Sequence, residues 1–247
     1  MSAKVWLVGA GPGDPELLTL KAVRALREAH VVLIDDLVNP AVLEHCVEAR
    51  VITVGKRGGC RSTPQDFIHR LMLRYARQGK CVVRLKGGDP CIFGRGGEEA
   101  MWLRERGVEV ELVNGITAGL AGATNCAVPL TLRGVSRGVT LVTAHTQDDS
   151  SLNWRALAEG GTTLVVYMGV AKLEEIRQQL LDGGMAADMP VAMIENASLP
   201  QQRECRSELS RMYADAQVFA LKSPAILVIG HVAAPGQVAC LTQAASA

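Results

Sequence analysis

Apolar positions in this chain follow two alternating patterns. Short aliphatic and β-branched runs recur at Val5–Val8, Val31–Ile34, Val51–Val54, Val82–Leu85 and Val108–Val113, and between them the apolar residues take helical spacing. Runs this short, with no polar alternation, predict strands of a parallel sheet buried on both faces, and the stretches between them predict the crossover helices. Leu17, Leu18, Val23 and Leu26 form an apolar stripe behind Asp14 and Pro15, which predicts a helix capped by Asp14. Another is predicted from Thr63, where Pro64 follows and Asp66 completes a capping-box-like spacing ahead of Ile68, Leu71, Met72 and Tyr75. Residues 1–114 thus read as an N-terminal α/β domain. Strands at Val139–Val142, Thr163–Met168, Val191–Ile194 and Ala225–Ile229, with helices around Trp154–Glu159, Lys172–Leu181 and Ser207–Leu221, predict a C-terminal α/β domain over 115–247. A cleft between two such domains is where a ligand site is expected.

One segment resists this pattern. From Leu112 to Leu132 no residue is charged, and the length would span a bilayer. Asn114, Asn125, Pro129 and the glycines and threonines make it too polar for that, so a buried, closely packed helix is expected instead. Its small residues Gly115, Thr117, Ala118, Gly119, Gly122 and Ala123 suit close approach to a neighbour or ligand.

Composition narrows the class further. Hydrophobic residues make up 48% of the chain and aromatic ones only 4%, so the core must be built from Val, Leu, Ile and Ala, as in α/β proteins. A net charge of +1 over 247 residues argues against nucleic acid or an anionic membrane as partner, although a local basic cleft would not show in that sum. The seven cysteines, Cys46, Cys60, Cys81, Cys91, Cys126, Cys205 and Cys240, are widely spaced with no C-x-x-C pair, which fits structural thiols in a reducing cytoplasm. The apolar run after Lys4 is too short for an export signal, and the five histidines lack metal-ligand spacing, so no metal is expected.

Two glycine-rich segments carry the candidate chemistry. Gly9-Ala10-Gly11-Pro12-Gly13-Asp14 follows the first strand and opens a helix, so backbone can approach a ligand closely and helix amides are expected to point into the site. A dinucleotide cradle fails in detail, because Asp14 stands where the third glycine of G-x-G-x-x-G belongs and Pro12 deletes an amide. Lys86-Gly87-Gly88-Asp89-Pro90 ends the strand at Val82–Leu85, and Phe93-Gly94-Arg95-Gly96-Gly97-Glu98-Glu99 follows as a glycine-dense loop. Carbonyls and a carboxylate there would stabilise a sulfonium-bearing cofactor.

With Val54-Gly55-Lys56-Arg57, Gly115-Ile116-Thr117-Ala118, Pro129-Leu130-Thr131, Tyr167-Met168-Gly169, Glu195-Asn196 and Ser223-Pro224-Ala225, these segments resemble the tetrapyrrole methylases, and most narrowly the branch that methylates uroporphyrinogen III. The resemblance runs from about Val5 to Val232. It implies a class III methyltransferase fold of two α/β domains, S-adenosylmethionine as cofactor, a homodimer, and transfer of two methyl groups to uroporphyrinogen III to give precorrin-2 for siroheme, cobalamin or haem d1 synthesis. It further implies cofactor contacts from Pro12, Gly87, Gly88, Asp89, Ile92, Thr117, Ala118, Met168, Ala197 and Ala225. Asp35 matches the proton acceptor of the family and Lys56 its donor, but the same residues suit a turn cap and a solvated lysine, so both roles stay open here. A substrate ringed with carboxylates calls for arginine forks. Arg57, Arg61, Arg95, Arg133 and Arg137 are candidates, and Arg95 with Glu98 matches the family's substrate-contacting pair. Other acceptors on the same fold, such as another precorrin, diphthine or ribosomal RNA, remain alternatives, as does a nicotinamide-dependent oxidoreductase using the first glycine loop.

Overall fold

The computed structural model describes residues 4–55, 63–145 and 152–235. The chain divides into two compact units, Met1–Thr117 and Ala118–Ala247.

Among the described residues the first unit holds five strands, β1 (Lys4–Gly9), β2 (Val31–Ile34), β3 (Arg50–Thr53), β4 (Val82–Lys86) and β5 (Glu109–Val113), in one sheet of order β3-β2-β4-β1-β5. Every neighbouring pair is parallel. Helix α1 (Leu20–Glu28) packs Ala22, Ala25 and Leu26 on the face that carries Trp6, Val8, Val32, Val83 and Leu85. Helices α2 (Gln65–Arg77) and α3 (Gly96–Arg104) bring Ile68, Met72, Ala100 and Leu103 to the other face, against Val5, Leu7, Leu33 and Val82. Layers on both faces of a parallel sheet make this a doubly wound unit.

In the second unit, α4 (Ala118–Asn125), β6 (Val139–Thr143), α5 (Trp154–Glu159), β7 (Thr163–Tyr167), α6 (Leu173–Asp182), β8 (Pro190–Glu195), β9 (Arg203–Glu208), α7 (Met212–Phe219) and β10 (Ala225–Ile229) follow in order. Its sheet runs β6-β7-β10-β8-β9; β6 and β7 are parallel and the remaining pairs antiparallel.

Several expectations need correction. Asp14 does cap a turn, accepting the Glu16 N–H at 2.9 Å, but that turn is a 3-10 helix over Pro15–Leu17. The α-helix restarts at Leu20, where the Thr19 hydroxyl accepts the Ala22 N–H at 3.1 Å. No capping box forms at Thr63: Pro64 is the N-cap without a side-chain bond, and Asp66 pairs with Arg70 one turn on. The helix expected over Ser207–Leu221 begins at Met212, because Arg203–Glu208 is an edge strand whose charged residues hide its period. The uncharged Leu112–Leu132 stretch contains only the eight-residue α4, flanked by the end of β5 and by turns. Among the described residues no helix is long and apolar enough to cross a membrane.

Candidate active site

In the first unit the chain doubles back between β1 and β4, and the loops leaving the carboxyl ends of β1, β4 and β5 meet there. Such a switch point is where open parallel sheets hold ligands. Gly11 and Gly88 pair as an isolated bridge, with the Gly88 N–H donating to the Gly11 carbonyl at 2.7 Å and the Gly11 N–H to the Gly88 carbonyl at 3.2 Å. Gly9 and Gly115 close on the same point. A Cβ on Gly9 would lie 2.6 Å from the Gly115 nitrogen, and one on Gly115 only 2.2 Å from the Gly88 oxygen. No side chain fits at either place, so these glycines bring three strand ends into backbone contact.

Asp89 fixes that contact. The residue is 7% exposed, and its carboxylate accepts the Cys91 N–H at 2.7 Å on Oδ1 and the Gly115 N–H at 3.0 Å on Oδ2, which ties the loop after β4 to the loop after β5. Gly87 packs on Leu37, while Pro12 and Ile92 are half-buried and Thr117 is buried. Pro12, Gly87, Gly88, Asp89, Ile92 and Thr117 are therefore gathered at one end of one sheet.

Ala118, Met168, Ala197 and Ala225 belong to the second unit and gather where the inner strands β7, β8 and β10 of its sheet end or begin. Because β10 runs against β7 and β8, its first residue Ala225 sits opposite Glu195 at the end of β8, and Ile226 opposite Tyr167 at the end of β7. Met168 and the residues flanking Ala197, Asn196 and Ser198, all have positive φ, at 55°, 53° and 64°. Left-handed non-glycine residues cost energy and cluster at functional sites. Tyr167 Oη accepts the Gly119 N–H at 3.0 Å, seating the start of α4. Arg137 is not part of this end of the sheet. Arg133 lies in the turn closed by the Leu132–Ser136 bridge, and the Ser136 hydroxyl accepts the Thr163 N–H at the opposite end of β7. Arg137 there borders a surface groove of about 470 Å³ with Gly134, Gly138 and Thr162.

Charged side chains surround the first unit's loops. Phe93–Glu99 is not a loop throughout: Arg95 is the left-handed N-cap of α3, at φ 58°, and Glu98 lies in its first turn. The glycines at 94 and 96 serve packing, since a Cβ would lie 2.7 and 2.5 Å from the Pro90 oxygen. Arg95 donates from Nε and Nη2 to Glu98 Oε2, at 3.0 and 2.6 Å. This bond holds the guanidinium above its ordinary value and the Glu98 carboxyl below its own. Asp35, just past β2, bonds Arg84 Nη2 through Oδ1 and has Lys86 Nζ 3.9 Å from Oδ2. Lys86 also donates to Glu99 Oε1 at 3.1 Å. Neither Arg84 nor Glu99 was singled out from the sequence, and Lys86 only as part of its motif. The signal was present: Val82-Val83-Arg84-Leu85-Lys86 places two charges on one face of a buried strand, where they must be paired. Lys56, Arg57 and Arg61 lie outside the described residues.

The family model of the Tetrapyrrole (Corrin/Porphyrin) Methylases matches residues 4–213. The chain belongs to the tetrapyrrole methylases. A uroporphyrinogen-III C-methyltransferase of Pseudomonas fluorescens is 84% identical to this methylase over 247 residues, the whole of both chains. Among solved structures, uroporphyrin-III C-methyl transferase from Thermus thermophilus, complexed with S-adenyl homocysteine, is 43% identical with a TM-score of 0.80, over 93% of this chain and 98% of that one. The cobalamin biosynthetic cobalt precorrin-4 methyltransferase aligns with a TM-score of 0.85 at 26% identity, over 94% of this chain and 97% of that one. Membership sets the nicotinamide-dependent oxidoreductase aside.

The residues of this methylase suit a sulfonium nucleoside. The Gly9–Gly88–Gly115 contact leaves only main chain at the switch point, and a sulfonium is met best by carbonyls and buried carboxylates that stabilise positive charge without attacking it.

Proposed function

We infer that this methylase transfers two methyl groups from S-adenosylmethionine to carbons of uroporphyrinogen III, giving precorrin-2. Full-length 84% identity to a uroporphyrinogen-III C-methyltransferase carries the reading. When bound, S-adenosylmethionine supplies a methyl group to an attacking pyrrole carbon while the C–S electron pair stays on sulfur. The chain's own part is to position that carbon, exclude water and receive the proton lost as the methyl is gained.

Contacts from Pro12, Gly87, Gly88, Asp89, Ile92 and Thr117 of the first unit, and from Ala118, Met168, Ala197 and Ala225 of the second, are assigned to the cofactor. Support comes from their gathering at the strand ends of each sheet. Asp35 is assigned as proton acceptor, because it is half-exposed at the carboxyl end of β2. Arg95 is assigned to a substrate carboxylate: Glu98 fixes its Nε and Nη2, and the Nη1 N–H groups supply further donors. Lys56, Arg57 and Arg133 complete the assignment, on family resemblance.

Incubating the purified chain anaerobically with uroporphyrinogen III and methyl-labelled S-adenosylmethionine tests the function. Two labels per tetrapyrrole are expected; labelling of another precorrin in preference would overturn the acceptor. A homodimer is proposed as well, and a single monomeric species in sedimentation at micromolar concentration would refute it.

A further inference from the structure

Arg84, Lys86, Glu99 and Asp35 form a charge quartet whose members differ sharply in access. The side chains of Arg84, Lys86 and Glu99 are 2%, 6% and 0% exposed, and Asp35 alone of the four reaches the surface, at 29%. Strand parity explains how they meet. Arg84 and Lys86 share the face of β4 that carries Val82, the face covered by α2 and α3, and Glu99 comes from α3.

The two cations divide the Asp35 carboxylate between them. Arg84 Nη2 is hydrogen-bonded to Oδ1, whereas Lys86 Nζ stands 3.9 Å from Oδ2, close enough to attract it and too far to be bonded. Lys86 is anchored instead by Glu99 Oε1 at 3.1 Å. Glu99 is a lopsided partner: Oε1 also accepts from Gln65 Nε2 at 2.7 Å and Arg84 Nε at 3.4 Å, while Oε2 has no hydrogen-bond partner among the described residues. Buried ion clusters are weak contributors to stability, and an apolar set of the same volume often does as well. A sealed quartet with an unsatisfied oxygen, opening on one carboxylate, is poorly accounted for by stability alone.

We propose that Lys86 is a positioning residue for methyl transfer: anchored on Glu99, its ammonium orients Asp35 and leaves Oδ2 as the oxygen that takes the substrate proton. The proposal rests on the reading of Asp35 as proton acceptor. As the new C–C bond forms and the methyl C–S bond breaks, the attacked pyrrole carbon has no hydrogen to lose, so the proton that neutralises the ring leaves a neighbouring bridging carbon or pyrrole nitrogen for Oδ2, and the carboxyl becomes neutral. Lys86 is then not stranded, because Glu99 still balances it.

The groups facing Lys86 are Arg84 on its own strand, Asp35 beyond β2, and Glu99 and Glu98 on α3, with Gln65 and His69 of α2 next outward. Burial, and then the Arg84 charge, push the Lys86 ammonium below the ordinary lysine value of 10.5, and Glu99 and Asp35 offset this in part. The ammonium is therefore lost, as pH rises, earlier than an exposed lysine would lose it.

The test is the pH profile of kcat for uroporphyrinogen III under anaerobic conditions, in wild type, Lys86→Arg, Lys86→Met and Asp35→Asn, with cofactor affinity measured by calorimetry. Wild type should show an alkaline limb below 10.5. Lys86→Arg should lose that limb, since a guanidinium keeps its proton throughout. Lys86→Met should fall about ten- to a hundredfold at every pH with cofactor affinity retained. NMR titration of wild type carrying 13Cε-lysine, which needs no folded variant, should give Lys86 a midpoint matching the alkaline limb. An unchanged alkaline limb in Lys86→Arg, or a Lys86 midpoint that misses the limb, overturns the proposal while leaving Asp35 intact. Wild-type turnover in Asp35→Asn overturns the reading of Asp35 itself, and the proposal with it.

Discussion

Replacing Asp89 by alanine removes the tie between the loops after β4 and β5. Two backbone N–H groups, of Cys91 at 2.7 Å and Gly115 at 3.0 Å, lose a charged acceptor in a place where Asp89 is 7% exposed. Hydrogen bonds to a charged group contribute about 1.5–3 kcal/mol each, so the gross loss is about 3–6 kcal/mol. Removing a buried carboxylate returns part of its desolvation cost, which leaves a net loss of about 2–4 kcal/mol. With a urea slope of about 2 kcal/mol/M, the midpoint of the transition should drop by about 1–2 M. Asparagine should restore at most one of the two bonds, since its NH2 group would face an N–H donor. Because the same tie holds Gly87, Gly88 and Thr117 in register, affinity for S-adenosylhomocysteine by calorimetry should fall about tenfold or more. A wild-type urea midpoint in Asp89→Ala would refute the reasoning. A lowered midpoint with unchanged affinity would keep the tie but take Asp89 out of the cofactor site.

Three further outcomes follow from the geometry. Arg95→Ala should reduce use of uroporphyrinogen III by about ten- to a hundredfold and leave cofactor affinity nearly untouched, with Arg95→Lys recovering only part because an ammonium lacks the planar fork; an equal fall in cofactor binding would place Arg95 elsewhere. Gly115→Ala, whose Cβ would lie 2.2 Å from the Gly88 oxygen, should cost about 1–3 kcal/mol or more on thermal unfolding, and an unchanged melting temperature would contradict the three-strand contact. Tyr167→Phe leaves the buried Gly119 N–H without its phenolic acceptor and should cost about 1–3 kcal/mol, a loss that chemical denaturation would detect or exclude.

Much of this was legible in the sequence because the governing physics is local. Buried strands such as β4 and β10 are continuous apolar runs, and turns that admit no side chain are spelled in glycine and proline. What escaped was set by tertiary contact. The Arg203–Glu208 strand is polar because it lies at a sheet edge, and nothing within it marks a strand until β8 is beside it. The start of α3 was hidden by glycines at 94 and 96, whose reason is the Pro90 oxygen rather than flexibility. The partnership of Lys86 with Asp35 and Glu99 joins residues from three separate segments, so their spacing along the chain carries no sign of it. The glycine loops were read in place, but the two backbone bonds of Asp89, to the Cys91 and Gly115 N–H groups, were not, because the second joins loops that lie far apart in the chain.

The glycine contact at the carboxyl ends of β1, β4 and β5 also limits how this protein can change over generations. At Gly9 and Gly115 the floor of the crevice is main chain, with the same atoms whatever the codons around it specify, because any side chain there would meet backbone at 2.2–2.6 Å. Mutation cannot retune that floor; it can only break it. Variation in what is bound must therefore accumulate on the rim, at positions such as Ile92, Arg95 and Leu37 that have room for another side chain. A constant floor with an editable border allows relatives to diverge in the acceptor they modify while one cofactor is retained.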